Sequence, residues 1–159
     1  TVMTSKEIKI AYLEYESIDQ LDPADKELAE AAIKATEGSY APYSKFNVGA
    51  AVRLDNGLII KGSNQENAAY PSGTCAERTA MFYAAATYPD NAITDIAVVA
   101  SQNGQICENP ATPCGACRQV MAQYQTKGGR PMSILLVGSG RIWKFSKVDD
   151  ILPLIFDSI

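Results

Sequence analysis

Ile93-Thr94-Asp95-Ile96-Ala97-Val98-Val99-Ala100 settles the architecture of this chain. After Asp95 the run is apolar without a break. A strand with one face in water alternates polar and apolar residues, whereas an unbroken run belongs at the centre of a sheet covered on both sides. Met132 to Val137 reads as a second central strand. Between the two, Pro113 opens a helix running from Cys114 to about Gln125, and Lys127-Gly128-Gly129-Arg130-Pro131 is a loop. Upstream, Ala76 to Thr87 is nearly free of polar residues after Thr79, as expected of a buried helix. Further upstream, Phe46–Leu54 and Leu58–Lys61 read as strands. Asp55-Asn56-Gly57 makes the hairpin turn between them, because Asn and Gly tolerate positive φ. Asp22-Pro23 starts a helix that Gly38 ends. Arg141–Ser146 is a short strand, and Val148–Ile155 a terminal helix or turn. This order gives an α/β class: a three-layer α-β-α domain with a mixed central sheet of about five strands.

Residues 23–159 form a single domain in this reading. Residues 1–22 are an N-terminal extension, in which Lys6 to Tyr15 alternates enough to suggest an edge strand. The 159 residues suffice for one self-supporting core. With 47% hydrophobic and 20% charged residues the composition is globular, neither disordered nor fibrous. No apolar run reaches the ~18 residues of a membrane span. A basic start followed by an apolar block is absent, so a cytoplasmic location is expected. The net charge of −4 speaks against nucleic acid as a partner.

There is no histidine. Acid–base chemistry must therefore fall to carboxylates, and any transition-metal site to the four cysteines, Cys75, Cys107, Cys114 and Cys117. Two segments stand out, Thr74-Cys75-Ala76-Glu77-Arg78 and Pro113-Cys114-Gly115-Ala116-Cys117-Arg118, each at the start of a helix. Cys114 and Cys117 are three apart and share one face of a first turn, where they can grip one ion. Cys75 can supply a third sulfur. Three protein ligands leave a tetrahedral zinc one open position, as in catalytic sites. Glu77, two residues from Cys75, is placed to move protons beside that position. Other readings of the same cysteines are a redox pair, a closed four-cysteine structural zinc site that includes Cys107, and inert buried thiols.

Cys-Ala-Glu followed by Pro-Cys-x-x-Cys resembles the zinc-dependent nucleobase and nucleoside deaminases. Three further stretches resemble the small cytidine deaminases in particular: Tyr40-Ala41-Pro42-Tyr43-Ser44-Lys45-Phe46-Asn47-Val48-Gly49-Ala50-Ala51, Gly62-Ser63-Asn64-Gln65-Glu66-Asn67-Ala68-Ala69-Tyr70, and Cys114-Gly115-Ala116-Cys117-Arg118-Gln119-Val120. The likeness runs from about residue 25 to the C-terminus. It implies one zinc per chain on Cys75, Cys114 and Cys117, with Glu77 as the catalytic proton carrier. It implies that Asn64 and Glu66 bind the ribose hydroxyls, that Phe46 packs near the base, and that the backbone near Ala76 and Thr74 holds the pyrimidine. Arg78 and Gln119 would donate to the zinc thiolates. A homotetramer is implied, with Phe156 of Leu152-Pro153-Leu154-Ile155-Phe156 reaching a neighbouring site. The implied reaction is hydrolytic deamination of cytidine and 2′-deoxycytidine in pyrimidine salvage, with no nucleic-acid or membrane partner. Taken without the resemblance, Phe46 reads as core, and Asn64 and Glu66 as solvated loop residues. Three other functions fit the zinc motif: deamination of another small substrate such as blasticidin S or a purine base, deamination within RNA or DNA, and a zinc-stabilised binding module.

Overall fold

A computed structural model describes residues 2–158; residues 1 and 159, the outer limits of the two segments drawn from sequence, lie outside it. The strands are β1 (Leu13–Tyr15), β2 (Phe46–Leu54), β3 (Ile59–Ser63), β4 (Ile93–Gln102), β5 (Gln105–Ile106), β6 (Ser133–Val137) and β7 (Ile142–Phe145). The helices are α1 (Pro23–Ala35), α2 (Ala76–Thr87) and α3 (Gly115–Gly128). Among the described residues no helix is long and apolar enough to cross a membrane.

The sheet order is β1-β7-β6-β4-β2-β3, with β5 paired to β4. Only β4 and β6 run parallel; the other pairs are antiparallel. The unbroken apolar run at Ile96–Ala100 has its physical reason in this position. Ile96 and Val98 face one layer, with Ala80, Met81 and Met121 of α2 and α3. Ala97 and Val99 face the other, with Leu28, Ala29 and Ala32 of α1. Both faces of β4 are buried, so no position can be polar without a partner.

Two glycines set the spacing of the layers. A Cβ on Gly49 would lie against the Ala32 carbonyl of α1, and one on Gly62 only 2.5 Å from the Ala80 nitrogen of α2. Both helices therefore approach the sheet at backbone contact. In the hairpin between β2 and β3 only Gly57 takes a positive φ, 87°. Asn56 instead accepts a hydrogen bond from the Leu58 N–H at 3.0 Å.

The sheet has two more strands than the expected five. One is β5, a two-residue return after Asn103 and Gly104, both at positive φ. The other is β1. Alternation from Lys6 predicts a longer strand, but pairing is confined to Leu13–Tyr15 against Ile142–Lys144. The strand it pairs with, β7, is only four residues long and offers no partner beyond Phe145, opposite Tyr12. Tyr12 is held instead by stacking on Phe145, with ring centroids 4.8 Å apart, and Trp143 Nε1 donates to Glu14 at 2.8 Å. After β7 the chain makes a short 3-10 turn at Val148–Asp150 and no longer helix.

Candidate active site

The parallel pair β4 and β6 is joined by α3, and α2 leads into β4. Both helices lie on one face of the sheet, and their N-terminal ends meet. Cys75 is the N-cap residue of α2 and Cys114 that of α3. Neither cap makes a side-chain capping bond, so the first N–H groups of both helices stay open beside sulfur. The positive ends of two helix dipoles thus converge where thiolate charge gathers.

The Sγ atoms of Cys75, Cys114 and Cys117 all lie within 4.8 Å of one another. A tetrahedral zinc with Zn–S bonds of about 2.3 Å holds its sulfurs about 3.8 Å apart, so the three fit one ion. The set is graded in depth: Cys117 is buried, Cys75 half-buried and Cys114 exposed. Hydrogen bonding from Cys117, and then from Arg78, lowers the Cys75 thiol to about 5. That same hydrogen bond, together with burial, pushes the Cys117 thiol up. Arg78 Nη2 donates to Cys75 Sγ at 3.3 Å, and its Nε is buried without a hydrogen-bond partner.

Glu77 is 5% exposed. Burial pushes its carboxyl up, and the Cys75 thiolate adds to the push. Glu77 lines a cavity of about 280 Å³ with Cys75, Ala76, Phe46, Asn64 and Glu66. A second cavity, about 300 Å³, lies across the wall formed by Asn64, Glu66 and Cys75, and is bounded by Tyr43, Tyr70 and Arg78. One cavity therefore gathers the sulfurs' edge, a buried carboxylate, an aromatic ring and two polar side chains. A carboxylate so placed can take and return protons without competition from bulk water.

The polar pair holds its own backbone in place. Asn64 Oδ1 accepts from the Val48 N–H at 2.9 Å and from the Ser39 hydroxyl, and its Nδ2 donates to the Phe46 carbonyl at 2.9 Å. Both acceptor sites and one of two N–H donors are used, leaving one N–H free. Glu66 Oε1 accepts from the N–H groups of Tyr43 and Ser44, at 2.9 and 3.1 Å. The Ser44 hydroxyl and these N–H groups hold the Glu66 carboxyl below its usual range. Lys45, next in the chain, sits at φ 60°. Such a conformation costs a non-glycine residue about 1–3 kcal/mol and persists only where its surroundings fix it. Here Asn64 and Glu66 grip both sides of the bend that delivers Phe46.

Two residues stand apart from the expected arrangement. Gln119 Nε2 donates to the Phe156 carbonyl at 2.7 Å, not to a thiolate. It is two residues past Cys117 and so faces away round the helix, whereas Arg78 is three past Cys75 and faces it. Phe156 is 67% exposed and lines neither cavity. Sequence reasoning missed Val48, Val98, Ala111 and Thr112 in the cavity wall. Strand alternation was the available signal for Val48, two residues after Phe46 on the same face. Ala111 and Thr112 lie in an irregular segment that has no period to read.

Three open-helix sulfurs beside a buried carboxylate define a metal-centred hydrolytic site. The model of the cytidine and deoxycytidylate deaminase zinc-binding region matches residues 22–128. A cytidine deaminase of Halalkalibacterium halodurans is 49% identical over 96 residues, 60% of this chain and 68% of that protein. One of Sporosarcina psychrophila is 47% identical over 100 residues, 63% of this chain and 68% of that protein. The crystal structure of cytidine deaminase from Burkholderia pseudomallei superposes with a TM-score of 0.70 at 41% identity, covering 82% of this chain and 97% of that one. This chain belongs to the zinc-dependent cytidine and deoxycytidylate deaminase family. It is a hydrolase with one zinc site, on Cys75, Cys114 and Cys117.

Proposed function

We propose that this enzyme deaminates cytidine and 2′-deoxycytidine to uridine and 2′-deoxyuridine, releasing ammonia, as a cytoplasmic step of pyrimidine salvage. The observation that carries the reading is the single cavity lined by Phe46, Asn64, Glu66, Cys75, Ala76 and Glu77. A zinc held by Cys75, Cys114 and Cys117 would lower the pKa of water at its open position far below that of bulk water. Glu77 takes a proton from the attacking water and gives it to ring N3. It then takes the proton of the new C4 hydroxyl and gives it to the departing amino group, so that addition at C4 and loss of ammonia leave a carbonyl. Phe46 packs on the base, and the open N–H of Ala76 at the start of α2, with the backbone near Thr74, holds the pyrimidine edge. The free N–H of Asn64 and the second oxygen of Glu66 bind the ribose hydroxyls. Arg78 holds the Cys75 sulfur.

A homotetramer completes the reading, with Phe156 reaching a neighbour's substrate. The exposure of Phe82, Tyr83 and Phe156, at 45%, 58% and 67%, supports it. The Glu66 carboxylate would repel a phosphate on the sugar, so nucleosides are preferred to nucleotides. The test is ammonia release from cytidine, 2′-deoxycytidine, cytidine monophosphate and free cytosine. The two nucleosides should react at least about tenfold better, as kcat/KM, than the other two. Equal or better use of the monophosphate would contradict the pocket assignment.

A further inference from the structure

We infer that Arg118 is a positioning residue that fixes the turn delivering Cys114 and the wall at Ala111 and Thr112. The inference rests on the zinc site of the reading above. Residues 109–113 lead into α3, and two of the five, Pro110 and Pro113, have no N–H to donate. Among the described residues this segment makes one hydrogen bond, from Arg118 Nε to the Pro113 carbonyl at 2.8 Å. The same guanidinium donates through Nη1 to the Ile151 carbonyl at 2.7 Å. One planar fork thus joins the residue before Cys114 to the C-terminal segment. The neighbouring side chain, Gln119, ties that segment again at Phe156. A chain with no ladder bonds and no capping bond at Cys114 has little else polar to fix it.

The location gives the tie its consequence. Thr112 lines the cavity that holds Glu77, and also an apolar cavity of about 380 Å³ behind it, which Arg118 and Ile151 border. The bracket therefore stands between the substrate wall and the C-terminal segment. With it gone, the Pro113 carbonyl is released, Cys114 loses its fixed approach to Cys75 and Cys117, and the Thr112 wall moves. Groups that orient metal ligands typically change metal affinity by about 10–100-fold when removed. A lysine at this position keeps the charge but loses the planar fork that spans the two carbonyls.

The test measures zinc transfer from purified, zinc-loaded protein to a chromogenic chelator, well below the melting temperature. Wild type, Arg118→Met, Arg118→Lys and a control, Lys144→Met, are compared. Lys144 pairs with Asp25 at 2.6 Å between β7 and α1, away from the sulfurs, so its loss destabilises without touching the turn. Arg118→Met should release zinc at least about tenfold faster than wild type, with Arg118→Lys between them and Lys144→Met near wild type. Cytidine KM should rise in the Arg118 variants with the moved wall. Release from Arg118→Met no faster than from Lys144→Met would overturn the inference. If Arg118→Met does not fold, Arg118→Lys is held to the same comparison. Wild-type protein that binds no zinc would overturn the metal site and this inference together. Wild-type protein that binds zinc but leaves cytidine unchanged would overturn the proposed substrate alone, with the zinc comparison still deciding on Arg118.

Discussion

Glu66 Oε1 accepts from the Tyr43 and Ser44 N–H groups, and in the proposed reading the other oxygen binds the ribose. Loss of these charge-assisted hydrogen bonds frees a bend that already holds Lys45 at positive φ. Replacing Glu66 with Ala should therefore raise the KM for cytidine at least about tenfold and change kcat less. Steady-state kinetics would read this, and an unchanged KM would show that the carboxylate touches no substrate. At this scale much was legible. Cys75, Cys114 and Cys117 were readable because zinc chemistry restricts ligand type and spacing tightly. The structural task of Asn64 was not, because its partners Ser39, Phe46 and Val48 are brought to it only by the fold. Gln119 donates to the Phe156 carbonyl; adjacency to Cys117 in sequence says nothing of the side of the helix it occupies.

Helix α2 owes its position to one missing side chain on β3. A Cβ on Gly62 would sit 2.5 Å from the Ala80 nitrogen and 2.8 Å from the Ala76 carbonyl, both backbone atoms that cannot swing aside. Gly62→Ala must then push the start of α2 off the sheet, and that start carries Cys75, Ala76 and Glu77. Overpacking of this kind costs about 1–3 kcal/mol. The variant should melt several degrees lower and hold less zinc after dialysis. A variant with wild-type melting and full zinc would show that the β3–α2 spacing is not fixed by Gly62. The elements themselves were largely written in hydrophobic period: α2 and the core of β4 fall where the apolar runs are. Their ends were not. β3 runs on through Gly62 and Ser63, into a stretch whose polar character reads as loop. The strand persists there because Gly49 and Ala50 across the ladder continue the pairing.

Across the whole molecule the site is assembled from four distant segments: the bend before β2, the loop after β3, the start of α2 and the start of α3. The sheet brings them together by placing β2 beside β4 and β4 beside β6, so that the two helix starts meet over one end of the sheet. The layered class followed from the central strands. The full strand count did not. The alternation from Lys6 pointed to an edge strand but not to its three-residue extent, and β5 exists only because the Asn103-Gly104 turn folds it back on β4. The central claim is that zinc and Glu77 act together on cytidine in this assembled cavity. Its most direct test compares the zinc-loaded wild type with Glu77→Gln, following the ultraviolet change of cytidine and measuring bound zinc in both. The account predicts steady conversion by the wild type. It predicts a fall of about a hundredfold to ten-thousandfold in Glu77→Gln, with zinc still near one per chain. Conversion by Glu77→Gln at close to the wild-type rate would contradict it.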